Sequence, residues 1–356
     1  MMAMMQKKLT RVHDFKLPTA ILGACFLKDD NELIAACMDG VYRVEIGTKK
    51  HHRIGTHESY VSSAVYVAQN QAIVTAGYDG TLKWYSIVDN ALIREEKVHR
   101  FWSWDMALSP DQRYLASSTG QYLAGDYKYS PAAETETSVK LLNAADGQLV
   151  HAFSHVPSVQ SVAFSHDSQW VAAGNLMGEV RVWEVATGKQ VGVFQSKDFT
   201  SWGIIKSHCY LGGIFAMEFS PDNNEIIVCG MGDMRDPMAG NGKQLWQRWN
   251  WRDAKMTAQT LEKQSGEGLM EALVLHPAKD SFVMGGRLRG GDWNAALFDL
   301  SSGERLGSIK SGFRITQMLF NSKGELVVVG GQGQPGKDAE GKFSDFGRVE
   351  VYSIEG

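Results

Sequence analysis

The sequence is poor in cysteine, with four in 356 residues (Cys25, Cys37, Cys209 and Cys229) and no C-x-x-C pair among them. That excludes a disulfide framework and leaves free thiols in a reducing compartment as the expected state. No apolar run approaches the roughly 20 residues that a membrane helix needs. Behind Lys7 and Lys8 the apolar character is broken at once by Thr10, Arg11, His13 and Asp14, so no secretory leader is expected and the chain reads as cytoplasmic. Charge of one sign is missing too. A formal net charge of -4 offers no basic field to nucleic acid or to an anionic membrane, and neither is expected as a partner. Against 8 prolines stand 37 glycines, with 44% hydrophobic and 21% charged residues, the balance of a folded chain with many tight turns.

What the chain does have is an internal repeat. Ser158 to Lys189, SVQSVAFSHDSQWVAAGNLMGEVRVWEVATGK, shows its parts. A short apolar strand ends at Phe164, Ser165-His166-Asp167 make a turn, and a second strand runs from Gln169 to Gly174. A Gly-bearing turn at Met177-Gly178 then leads to a third strand, Glu179 to Val185, and to a turn at Thr187-Gly188. The position of Phe164 recurs as Phe26, Tyr66, Leu108, Phe219, Leu275 and Phe320, which makes seven units at spacings of 40, 42, 56, 55, 56 and 45 residues. The shorter spacings match the roughly 40 to 45 residues of a four-stranded propeller blade, and the longer ones carry insertions. Units begin near residues 20, 60, 101, 158, 213, 269 and 314 of one 356-residue array. The first turn reappears as Ser109-Pro110-Asp111 and Ser220-Pro221-Asp222, where proline presets φ and Ser or Asp bonds back to the backbone. Along the third strand Val180 and Val182 alternate with Arg181 and Trp183, a period of two that belongs to strands and not to helices.

These residues resemble the WD-repeat β-propeller family, whose blades read "SVAFSPDG…LASGS.DG.VRLWD..TGK". The resemblance spans essentially the whole chain and implies an all-β, seven-bladed propeller of four-stranded antiparallel blades. The family's Trp position is held by Tyr85, Leu142, Trp183, Trp249, Phe298 and Tyr352 in the later copies. In the second blade His57, Thr75, Asp79 and Tyr85 match the family's His, Ser/Thr, Asp and Trp, with Tyr in place of Trp, and the resemblance implies a structural hydrogen-bond network there. Met177 stands where the fourth blade should have Asp, and Leu142 replaces Trp in the third, so the member is divergent. The last copy reaches Ile354 with no fourth strand, while Lys8 to Phe15 precedes the first copy without another assignment. It is expected to supply the missing outer strand of the seventh blade and close the ring.

Insertions fall at Gly120 to Glu136, Gln195 to Gly212, Met231 to Gly242, Gly285 to Trp293 and Gly331 to Phe346. In WD-repeat proteins the turns between second and third strands, and the links between blades, emerge on one face. One face is therefore expected to be elaborated and the other plain. The elaborated face gathers the candidate partner-binding residues Trp102, Trp104, Tyr127, Tyr129, Trp202, Arg235, Arg287, Arg289 and Trp293, types enriched in binding hot spots. The family resemblance implies a non-enzymatic scaffold or complex subunit that binds a protein or peptide there, with no catalytic residue, cofactor or metal. The alternative is a metal-dependent hydrolase or small-molecule-binding propeller using the channel mouth. In that reading Asp126, Asp233, Asp236 and Asp292 converge on a hard cation, although Asp beside Gly is also ordinary turn chemistry.

Other motifs lack their context. Gly331 to Lys337 contains both G-x-G-x-x-G and the G-x-x-x-x-G-K core of a phosphate loop, but Asp338 stands where Ser or Thr should meet Mg²⁺ and no helical pattern follows. The ten histidines show no paired metal spacing. The basic run Lys49-Lys50-His51-His52-Arg53 is expected at a solvated turn on the plain face, since it has no interleaved aromatics.

Overall fold

The computed structural model describes residues 6–121, 133–201, 211–236, 241–261, 268–288 and 291–356. They form seven antiparallel sheets arranged as blades around a ring. Blade 1 consists of Ile21–Phe26, Glu32–Cys37, Gly40–Glu45 and Lys50–Gly55, ordered from the centre outwards, and blade 2 of Val61–Val67, Ala72–Gly77, Thr81–Ser86 and Leu92–Lys97. Blades 3, 4 and 6 follow the same plan, with first strands Asp105–Leu108, Val159–Phe164 and Gly268–Leu275.

The pleat explains why the strands are apolar on both sides. In blade 1, Leu33, Ala35 and Cys37 pack with blade 7, while Ile34 and Ala36 between them pack with blade 2. The same alternation produces seven separate apolar clusters, one straddling each blade interface. Each fully buried aliphatic side chain in them contributes about 1.5–3 kcal/mol. Among the described residues every apolar cluster lies at a blade interface, so the interfaces hold the ring.

The plain-face turns repeat in detail. Ser109, Ser165 and Ser220 each donate to the Asp two residues on at 2.6 Å, and each accepts from the backbone N–H five residues on at 2.9 Å. Gln112, Ser168 and Asn223 take the left-handed conformation these reversals require, with φ of 62°, 61° and 61°.

The ring closes as the sequence suggests. Blade 7 is built from Arg314–Phe320, Leu326–Gly331 and Gly347–Glu355, and its outer strand is Lys8–Leu17, two residues longer than expected. Phe15 and Leu17 enter the cluster shared with blade 1, and Leu9 packs on the cluster shared with blade 6. Arg11 bonds the buried Glu350 across the new strand pair, and Tyr352, two residues along the same strand, donates its hydroxyl to the other oxygen of that carboxylate.

Blade 5 departs from the expected four strands. Thr200–Ser201 adds a fifth strand inside Leu211–Phe219, and the Met231 to Gly242 insertion is not a loop: the second and third strands run on as Glu225–Asp236 and Asn241–Asn250. Glycine permits this, because a Cβ on Gly230 would stand 2.0 Å from the Gly213 carbonyl oxygen. The basic run is also displaced, since Lys50 to Arg53 lie within the outer strand of blade 1 and only Lys49 turns, with φ of 61°.

Candidate functional site

The first strands line a central channel of about 660 Å³. One residue from each blade rings it at the level of the elaborated face: Leu22, Ser62, Trp104, Gln160, Phe215, Glu271 and Thr316. In six blades this residue is the extra one of a register shift, as Leu22 is between Ile21 and Gly23, so a bulge in the strand that lines the channel turns it towards the opening.

The links and turns of blades 2 and 3 stack five aromatic rings beside this mouth. Tyr78 and Trp102 lie parallel at 4.7 Å, Phe101 stacks on Trp102 at 5.0 Å, and Trp104 meets Trp102 edge-on at 5.1 Å. Tyr60 joins at 5.9 Å from Tyr78. Trp104 is anchored by its indole N–H on the Gly120 carbonyl at 2.9 Å. Trp102 and Tyr60 remain 40% and 44% exposed.

Charge at the mouth is unbalanced. Glu271 takes Arg314 in a bidentate pair, and both influence the Tyr78 phenol, whose pKa burial raises. One residue below Trp104, Asp105 accepts the backbone N–H groups of Val162 at 3.0 Å and Met106 at 2.8 Å. Burial nevertheless pushes its pKa up to about 6. Glu218 lies deeper in the channel wall, where burial first and the Asp105 charge second push it up to about 7. Sequence reasoning missed both carboxylates. Alternation marks them as strand residues, but not as facing a channel.

Below the aromatic cluster lies the second-blade network. His57 bonds Thr75 through Nε2 at 2.9 Å and Asp79 through Nδ1 at 3.1 Å. Asp79 also accepts the backbone N–H groups of Glu58 and Thr81 at 2.9 and 3.0 Å. Burial alone would raise the Asp79 pKa, but His57 and these two donors overcome it and hold the carboxyl at about 2. The Tyr85 hydroxyl turns away from this chain of bonds and donates to the Thr56 carbonyl at 3.3 Å.

A family profile described as "WD domain, G-beta repeat" matches residues 48–86 and 147–184. Each match begins in the turn before one blade's outer strand and ends with the third strand of the next blade. Repeats that straddle blades in a seven-bladed ring decide the matter. The chain is a WD-repeat β-propeller. Over 120 residues it is 28% identical to telomerase protein component 1 of Rattus norvegicus, a stretch that is 34% of this chain and 4% of that protein. WD-repeat propellers commonly serve as scaffolds for protein interaction.

Within this WD-repeat ring the other blades rebuild the network with different residues. In blade 3, His99 bonds Ser117 at 2.9 Å, and Glu136 stands 4.0 Å from its Nδ1, too far for a hydrogen bond. In blade 4, His155 bonds the Ala173 carbonyl at 3.1 Å. There Asn175 accepts the N–H groups of Met177 and Glu179, both at 2.9 Å, and so does the work of the missing Asp. Burial drives both histidines to about 3, which keeps them neutral and structural.

The remaining candidates divide. Tyr127, Tyr129, Trp202, Arg289 and Asp126 lie outside the described residues, as do the side chains of Arg235, Asp233 and Asp236 on the extended hairpin. Arg287 is exposed on the second strand of blade 6. Trp293 must be withdrawn as a contact residue. It is only 3% exposed, because its indole packs on Phe298 in the interface between blades 5 and 6. Among the described residues no three His, Cys, Asp or Glu side chains group as metal ligands. The Gly331 to Phe346 segment closes on itself through a Lys337–Phe343 bridge, with no helix to present to a phosphate.

Proposed function

We propose that this chain is a non-enzymatic interaction scaffold, acting as a subunit of a larger complex, and that it grips an extended protein or peptide segment across the face bearing Trp102. The observation that carries this reading is the stack of Phe101, Trp102 and Tyr78, rigidly placed yet left open on Trp102 and Tyr60 beside the channel. Aromatic anchors of this kind supply large contact area at low entropic cost, and hot spots are enriched in them. A component role fits the rat relative, which is named as a protein component of telomerase. A cytoplasmic setting fits the free thiols of Cys25, Cys37 and Cys229.

Affinity isolation from the native source tests the choice of face. Partners should be lost when Trp102 or Tyr60 is changed to Ala and retained when Val88, which is 80% exposed on the plain face, is changed to Ala. Retention by both aromatic variants would place the binding surface elsewhere.

A further inference from the structure

Charge complementarity adds a chemical identity to the bound segment. Among the described channel-lining residues the only permanent cation is Arg314, and Glu271 already takes it up. Asp105 and Glu218 are left without a counter-charge. Asp105 is at least held by backbone donors, whereas no hydrogen bond reaches the Glu218 carboxylate from the described residues. At the level of Glu218 the other six first strands carry Cys25, Val65, Ala107, Ala163, Val274 and Leu319. An apolar residue therefore satisfies the fold at this position in every other blade. A carboxylate there is costly to desolvate and does nothing for the ring.

The channel has the volume of a ligand pocket, and its entrance is edged by Tyr78 and Trp104, rings whose faces attract cations. Asp105 is one residue below the entrance and Glu218 is three, roughly 3 and 10 Å at the rise of a strand. A long, unbranched, cationic side chain suits that depth, and an anion would meet two uncompensated carboxylates. We propose that the channel mouth takes one lysine or arginine side chain of the partner segment, flanked by the aromatic rings and balanced by Asp105 and Glu218. This rests on the reading of the Trp102 face given above.

The test titrates the whole chain with capped tripeptides, acetyl-Gly-X-Gly-amide with X as Arg, Lys, citrulline or Glu, and follows the tryptophan indole N–H signals by NMR. The Arg or Lys peptide should bind saturably and shift the signals of Trp102 and Trp104, with citrulline at least tenfold weaker. The double variant Asp105→Asn, Glu218→Gln should weaken the cationic peptide at least tenfold without lowering the melting temperature. Equal binding of citrulline, preference for Glu, or an unaffected double variant would overturn the proposal. Tighter binding of free spermidine than of either cationic peptide would overturn the side-chain source. Native partners that are lost with Trp102→Ala yet kept by the double variant would remove this inference and leave the interaction face standing.

Discussion

Changing Asp79 to Asn isolates one charge in the second-blade network. The carboxylate collects His57 and two backbone N–H donors in a site where its side chain is only 6% exposed. Its pKa falls from 3.8 to about 2, which corresponds to roughly 2–3 kcal/mol of stability at neutral pH. Because the folded pKa is depressed, that stability is present above the unfolded value near 4 and is lost as pH falls towards 2. Urea unfolding at pH 7 should show Asp79→Asn less stable by about 2 kcal/mol. The gap should narrow steadily between pH 4 and pH 2.5, where the wild-type carboxylate protonates as well. Asp79→Ala should cost more, about 3–5 kcal/mol, because it leaves dry donors unpaired at about 1–3 kcal/mol each. A gap that is the same at pH 7 and pH 2.5, or no gap at pH 7, would refute the assignment of the charge.

Removing residues 1–17 should prevent formation of a cooperatively unfolding monomer, read by calorimetry, and Phe15→Ala alone should cost about 3–5 kcal/mol. Trp293→Ala should destabilise by a similar amount, whereas Trp102→Ala should shift the urea midpoint little, which separates core from contact surface. Burial raises Asp105 to about 6 and Glu218 to about 7, so the folded state favours their protonated forms. That contribution is present below the unfolded values near 4 and is lost as pH rises through 6 to 7. The double variant Asp105→Asn, Glu218→Gln should accordingly melt above the wild type at pH 8 and level with it at pH 4. Gly178→Ala should be destabilising, since φ is +76° and the new Cβ would stand 2.1 Å from the Ser196 carbonyl oxygen, and a melting curve checks it.

The seven units and the closing strand were legible because local chemistry marks them. Ser-x-Asp turns, a period of two and an aromatic on the third strand are decided within a few residues. What escaped was decided by neighbours in space. Trp293, flanked by Gly291, Asp292 and Asn294, carries the signature of an exposed loop, yet it is the floor of a blade interface. In blade 4 the sequence has Met177 where the family has Asp, but the side chain of Asn175, two residues earlier, accepts the N–H groups of Met177 and Glu179. Asp105 and Glu218 sit inside ordinary strand patterns, and nothing local tells which edge of a strand meets the channel. The extended hairpin of blade 5 is hidden by Gly230 and Gly242, which read as loop but permit close approach of backbones.

The latch between the two ends has a consequence for anything attached to them. Lys8 pairs with Glu355, the Lys7 N–H bonds the Leu306 carbonyl, and Gly356 lies beside Gln6. Fused partners, tags or further polypeptide at either end would all depart from one corner at the rim of blade 7. A short linker from residue 356 to residue 6 would then make the backbone an endless loop. New ends could be opened in any plain-face turn, such as Val88 to Ala91, with every interface still in place. The propeller behaves as a bracelet with its clasp at blade 7, and the clasp can be moved.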